Sequence, residues 1–157
     1  MENNNLYPST EKGLVSIVIP IYGNFDTRRT ILTVESVMAQ KKVNIEIVVS
    51  EQGNFPKLKY KIPKEVKYVF TRHTSSQKLS DFNPGLIRNL AIILSSGEFV
   101  YTNDADVLFI DENFLANGVK LLEKDPSLIL HRPPMRRLPL DNFEEFWNLF
   151  NERGIRH

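Results

Sequence analysis

An α/β fold built on a mostly parallel sheet is the architecture this 157-residue chain predicts, and three observations point there. Short β-branched runs of strand length alternate with longer stretches of helical period. The first runs are nearly continuous hydrophobics, the pattern of strands covered on both faces. Polar segments follow several of the runs where a strand would end. Strands alternating with helices imply right-handed crossovers, so the strands' carboxyl ends gather on one edge, where open α/β sheets take their ligands.

Residues 1–13 are polar, carry Pro8 and Gly13 and have no period, so they read as a flexible lead-in to one domain over 14–157. Val15-Ser16-Ile17-Val18-Ile19 is the first strand, stopped by Pro20. Asp26 is a candidate N-cap, and Ile31, Val34, Val37 and Met38 recur at helical spacing until Gln40-Lys41-Lys42. Ile45-Glu46-Ile47-Val48-Val49 is the second strand and Glu51-Gln52-Gly53-Asn54 the polar turn after it. A basic loop with Pro56 and Pro63 leads to the third strand, Val66-Lys67-Tyr68-Val69-Phe70.

Residues 72–82, small and polar without an apolar period, read as a flexible loop. Asn83 then supplies a cap and Pro84 the first position of a second helix; Leu86, Leu90, Ile93 and Leu94 are its predicted buried stripe and Gly97 its stop, with Arg88 and Asn89 on or beside the other face. Phe99-Val100-Tyr101-Thr102 is the fourth strand. Asp111 is read as the cap of a helix with Phe114, Leu115, Leu121 and Leu122 along one side. Leu128-Ile129-Leu130 is a fifth short strand, and a basic, proline-stiffened turn carries His131, Arg132, Arg136 and Arg137. Phe143, Phe146, Trp147 and Phe150 stand at i, i+3, i+4 and i+7 behind Asp141, the clearest amphipathic helix of the chain. There is no internal repeat.

Composition narrows the function classes. An apolar content of 41% and a charged content of 25% are those of an ordinary globular domain. A net charge of +1 argues against a nucleic-acid binder, and the lack of cysteine excludes disulfides and thiolate metal sites. No signal peptide and no apolar run of membrane-span length is present, so the expected location is cytoplasmic, with work at a membrane surface left open. The position after the first strand reads Pro20-Ile21-Tyr22-Gly23-Asn24-Phe25, a single glycine where a dinucleotide fold needs three, and no Walker lysine motif occurs. A receiver domain would need an acidic pair where Tyr22 and Gly23 stand. A nucleotidyltransferase of this layout would need a glycine-rich, arginine-bearing loop there.

The fourth strand runs out into Asp104-Ala105-Asp106. Two carboxylates one residue apart at a strand end suit Mg²⁺ or Mn²⁺, hard cations that keep positions for water or substrate phosphates. Asp also caps turns after strands, and Asp-x-Asp recurs by chance. The predicted edge gathers this segment with those after the first and second strands, which favours the metal.

The motifs carry a resemblance. Val15-Ser16-Ile17-Val18-Ile19-Pro20-Ile21-Tyr22-Gly23-Asn24 resembles the "V-S-I-V-I-P-x-Y-N" opening strand of family 2 glycosyltransferases of the GT-A fold. Ser36-Val37-Met38-Ala39-Gln40 is similar to the family's "S-x-x-x-Q", and Glu46 to Asn54 to "E-I-I-V-V-D-D-G-S", with Glu51 and Gln52 replacing the aspartate pair. Gly85-Leu86-Ile87-Arg88-Asn89-Leu90-Ala91 looks like "G-x-x-x-A-R-N-x-G", Ser96-Gly97-Glu98-Phe99-Val100 like "A-x-G-E-Y-I", and Asp104-Ala105-Asp106 like the family's D-x-D.

The resemblance implies a GT-A donor-binding portion that lacks its acceptor half. It implies sugar transfer, in the inverting manner usual for the family, from a UDP-sugar to a saccharide, lipid-linked or protein acceptor. Asp106 would hold Mn²⁺ or Mg²⁺ on the diphosphate, with Asp104 on the metal or the ribose, and Pro20, Ile21 and Tyr22 would line the nucleotide site with Ala105. Glu51 would accept from uracil N3–H, and Arg88 would pair with phosphate or a site carboxylate. Ordinary structural roles stand beside these: a packed aromatic for Tyr22, a solvated turn carboxylate for Glu51, an ion pair for Arg88. Only a short tail follows Asp106, and Glu144 and Glu145 in it flank aromatic residues, so no catalytic base is identified. The basic turn at Arg132, Arg136 and Arg137 could meet an anionic acceptor or lipid phosphate, with His131 a third metal ligand at most. The competing reading is a non-catalytic nucleotide-binding or interaction module of the same fold, and further domains of a longer protein remain open.

Overall fold

The computed structural model describes residues 8–23, 25–72, 82–125, 127 and 143–153. Strands β1 (Glu11–Tyr22), β2 (Asn44–Gly53), β3 (Lys67–Arg72) and β4 (Gly97–Thr102) form one parallel sheet in the order β3-β2-β1-β4. Helices α1 (Thr27–Met38), α2 (Pro84–Ile93), α3 (Phe114–Lys124) and α4 (Phe143–Arg153) complete the described elements. The mostly parallel α/β architecture read from the sequence is the one observed.

The two faces of the sheet are covered unequally. Val15, Ile17, Ile19 and Ile21 of β1 join Ile47 and Val49 of β2, Val34 and Val37 of α1 and Leu115 of α3 in the main core. Val18 and Val48 point the other way and meet Ala91 of α2 in a smaller cluster. A strand buried on both faces must be apolar at successive positions, which explains the unbroken run in β1.

β1 does not stop at Pro20. It continues to Tyr22, with Pro20 paired opposite Ser50 of β2. Val18 O accepts from Asn103 N and Gly23 N donates to Gln52 O, so by strand alternation the position of the missing Pro20 N–H faces the β4 side, beyond the last β4 pairing at Thr102. A proline that lacks its donor where the neighbouring strand has ended costs the ladder nothing. β1 also starts at Glu11, inside the predicted lead-in, because Glu11 N donates to Ser96 O.

Two further expectations change. The sheet-facing residues of α2 are Ile87 and Ala91, while Leu86, Ile93 and Leu94 are exposed, and Gly97 opens β4 instead of stopping the helix. A Cβ on Gly97 would lie 2.6 Å from Ser16 Oγ and 2.7 Å from Ser16 N, so the residue is glycine for lack of space. In α3, Leu115 and Ala116 are buried and Leu121 is exposed; Asp111 forms a turn by accepting from Asn113 N, and Asn113 takes the cap position. The predicted fifth strand at 128–130 lies outside the described residues.

Candidate functional site

β1 is the point where the chain changes direction across the sheet, with β2 and β3 to one side and β4 to the other. Such a switch point opens a crevice between the carboxyl ends of the flanking strands. A cleft lies there. Pro20, Ile21 and Tyr22 form one wall, and Asp104, Ala105 and Asp106 another. Arg88 and Pro84 reach in from the start of α2, and Phe25 and Phe82 close the aromatic side. Seven of the eight residues singled out for the nucleotide-sugar site are therefore brought together, and Glu51 is not.

The turn bearing the two aspartates is held from beneath. Asn103 is buried; its backbone N–H continues the ladder to Val18 O, and its side-chain amide donates to Asp104 O at 3.1 Å and Val107 O at 3.0 Å. Three polar side chains, Thr33 and Ser36 on the inner face of α1 and Gln40 just past its end, continue the fastening. Thr33 Oγ1 donates to Ala105 O at 3.0 Å, Ser36 Oγ accepts from Phe109 N at 3.2 Å, and Gln40 spans Asp111 O and Leu115 N. Sequence reasoning noted Ser36 and Gln40 only as a motif and passed over Thr33 and Asn103. The signal was available: polar residues at i, i+3 and i+7 share a helix face with Val37, so they are buried and must find partners.

On this footing Ala105 is buried while Asp104 and Asp106 are exposed. The Asp104 side chain keeps 67% of its surface, and its ion pair with Arg88 is long, at 3.4 Å. Arg88 Nε is buried without a hydrogen-bond partner among the described residues. Tyr101, behind the turn, has its phenol pushed up, first by burial and then by the Asp104 charge. Tyr22 is buried with its ring 5.3 Å from that of Phe82. The aromatic contact read as an alternative for Tyr22 is thus present, and Tyr22 lines the cleft as well. Phe82 had been placed in the flexible loop, of which 73–81 lie outside the described residues.

Glu51 is corrected in position. It belongs to β2, is fully buried, and accepts from Lys57 N at 3.0 Å, Leu58 N at 3.1 Å and Tyr68 Oη at 2.6 Å. It is neither a solvated turn carboxylate nor part of the cleft surface. Burial and the Glu51 hydrogen bond push the Tyr68 phenol far up. Gln52 is also buried and accepts from Asn83 N at 3.0 Å, tying β2 to the start of α2. Gly23 and Gly53 let the two strand ends cross closely, since a Cβ on either would lie 3.2–3.3 Å from the other's Cα.

The last helix keeps its predicted face: Phe143, Phe146 and Trp147 are half-buried, while Glu144, Glu145, Asn148 and Leu149 are exposed. Phe143 and Trp147 lie under the Arg28 guanidinium at 5.1 and 5.8 Å, and Arg29 stands 4.9 Å from Phe143. Arg28 also pairs with Asp26 and Glu144, and its hydrogen bonds hold the Asp26 carboxyl below the ordinary value. Neither Glu144 nor Glu145 lines the cleft. His131, Arg132, Arg136 and Arg137 lie outside the described residues.

The carboxylate pair fits a hard divalent cation by its donor type and by the room it leaves for water and phosphate. Among the described residues there is no cluster of three acidic, His or Cys ligands.

No family model matches the chain. A Rickettsia bellii (strain RML369-C) protein described as an uncharacterized glycosyltransferase is 29% identical over 133 residues, which are 83% of this chain and 18% of that protein. S. aureus TarS 1–349 superposes with a TM-score of 0.53 at 18% identity, over 77% of this chain and 38% of its own. The same fragment in complex with UDP gives 0.52 with the same shares. The chain has the TarS fold. The glycosyltransferase resemblance carried by the motifs is matched by a relative of that description, of which this chain spans a small part.

Proposed function

We propose that this chain is the donor-binding portion of a glycosyltransferase that takes its sugar from a UDP-sugar. The observation that carries the reading is the cleft at the β1–β4 switch, which joins two exposed carboxylates on a fastened turn to an under-satisfied arginine and a wall of aromatic rings. Uridine is favoured because a structure of the same fold holds UDP. It is not favoured by Glu51, whose oxygens already serve the fold.

Asp104 and Asp106 would hold Mn²⁺ or Mg²⁺. When bound, that cation supplies Lewis-acid neutralisation of the charge developing on the diphosphate leaving group. Arg88 adds a fixed positive charge beside it. A buried guanidinium N–H without a partner costs about 1–3 kcal/mol, which a phosphate oxygen would relieve. Tyr22 offers its ring to the nucleobase beside Phe82. Inversion at the anomeric carbon, carried over from the resemblance, would need a base to take the acceptor proton.

Asp104 and Asp106 are the carboxylates lining the cleft among the described residues. That supports a second reading, nucleotide binding without transfer. UDP calorimetry with Mn²⁺, with chelator, and with Asp106→Ala tests the donor site. Binding that needs both metal and Asp106 is expected; no binding under any condition overturns the assignment. Release of sugar from UDP-sugar would separate transferase from binding module.

A further inference from the structure

Between β2 and β3, residues 55–64 read Phe-Pro-Lys-Leu-Lys-Tyr-Lys-Ile-Pro-Lys. Four lysines stand there with no acid, no amide and no Ser or Thr hydroxyl, in a chain whose net charge is only +1. The segment follows β2 at its carboxyl end and so borders the edge that carries the cleft. Lys61 Nζ reaches Thr27 Oγ1 at the start of α1, at 3.4 Å.

Its backbone is anchored. Leu58 and Ile62 are buried in the main core, Glu51 accepts the amides of Lys57 and Leu58, and Lys61 N and Ile62 N both donate to Leu58 O. With Leu58 and Ile62 fixed inward, the rings are turned outward: Phe55 is 60% exposed and Tyr60 87%. Each carries an ammonium at its face, Lys57 Nζ 5.5 Å from the Phe55 centroid and Lys59 Nζ 5.6 Å from that of Tyr60. A rigid loop that presents aromatic tips edged with ammonium groups holds apolar area in water without an internal reason.

We infer that this loop docks the protein on an anionic phospholipid bilayer. Phe55 and Tyr60 enter the boundary between headgroups and acyl chains, Lys57, Lys59, Lys61 and Lys64 lie at the lipid phosphates, and the strand-end cleft is carried near that surface. A bilayer asks only for point charges and ring area. A saccharide is held by side-chain amides and carboxylates, which residues 55–64 lack, and by open ring faces, of which each ring has one covered by an ammonium; a soluble anionic polymer would use the lysines but not the exposed ring area of Phe55 and Tyr60. The inference stands on the loop alone and is independent of the donor reading.

The test is co-sedimentation of the full 157-residue chain with phosphatidylcholine vesicles, with and without phosphatidylglycerol, across a salt series. Partition onto the anionic vesicles should be about tenfold or more above the neutral ones and fall with salt. It should drop about tenfold in the triple variant Lys59→Gln, Lys61→Gln, Lys64→Gln, and again in Phe55→Ala with Tyr60→Ala. All five positions are exposed, so the variants fold, and thermal melting confirms it. Equal partition onto both vesicle types, or wild-type partition by the triple variant, overturns the inference. So does binding to soluble poly(glycerol phosphate) as tight as to vesicles and indifferent to loss of the rings, which would make an anionic polymer the partner. UDP calorimetry on the same proteins reports the cleft separately.

Discussion

At the amino end of the sheet, Glu46 accepts hydrogen bonds from Ser16 Oγ, Ser96 N and Ser96 Oγ and pairs with Lys67, while Gly97 N donates to Ser16 Oγ. At the carboxyl end, Asp104 has one long contact to an arginine whose Nε has no partner among the described residues. The same strands therefore carry a closed polar cluster at one end and an open one at the other. A satisfied cluster holds elements together; an unsatisfied, solvent-facing one leaves its capacity for something that arrives. The difference separates framework from site without reference to residue type, since both clusters pair acids with a base.

The comparison can be broken most severely at Gly97. Gly97→Ala places a methyl against Ser16 backbone and side chain, so a loss of about 3 kcal/mol is expected, read from the urea midpoint. An unchanged midpoint would mean that the β1–β4 contact yields easily.

Glu46→Gln should cost about 2 kcal/mol near neutral pH. Burial alone would raise the Glu46 carboxyl, but hydrogen bonds from Lys67, Ser16 and Ser96 outweigh it and hold the group below its ordinary value. Its stabilisation is therefore complete above the unfolded glutamate value of about 4.3 and is lost as pH falls through the lower folded value. Wild type should lose stability more steeply in that acid window than the variant, and the two denaturation curves should converge below it.

The open end should behave in the opposite way. Asp106→Asn is expected to leave stability within about 0.5 kcal/mol while weakening Mn²⁺-dependent UDP binding about tenfold or more, near 1.4 kcal/mol. Arg88→Lys sharpens the contrast least, with about a threefold loss of UDP affinity, because the charge stays and the planar fork is lost. A large stability loss in either variant would move that residue from site to framework.

Much of the fold was legible because β1 and β2 carry long buried runs and two of the helices begin with side-chain caps: Asp26 and Asn83 cap as expected. The Asp104 and Asp106 turn was legible because a hydrophobic strand ends abruptly in charge. Glu51 was misread for a physical reason. A polar residue at a strand end looks the same in sequence whether water or the chain's own amides satisfy it, and here the amides come from residues 57 and 58. The α2 stripe failed similarly: its sheet contact is made by the single pair Ile87 and Ala91, and periodicity cannot tell a narrow seam from a wide one when the outer face is apolar too.

The bolting of the aspartate turn to α1 bears on what a ligand must do on arrival. Asn103, Thr33, Ser36 and Gln40 fix residues 103–115 through backbone groups, so the ordering entropy of that segment is lost during folding and not at binding. The amides of Phe109 and Leu115, bound to the side chains of Ser36 and Gln40, should then exchange with solvent deuterium at the same slow rate with and without nucleotide. Affinity at this cleft would be governed by the few exposed side chains that meet the ligand, on a support that is already still.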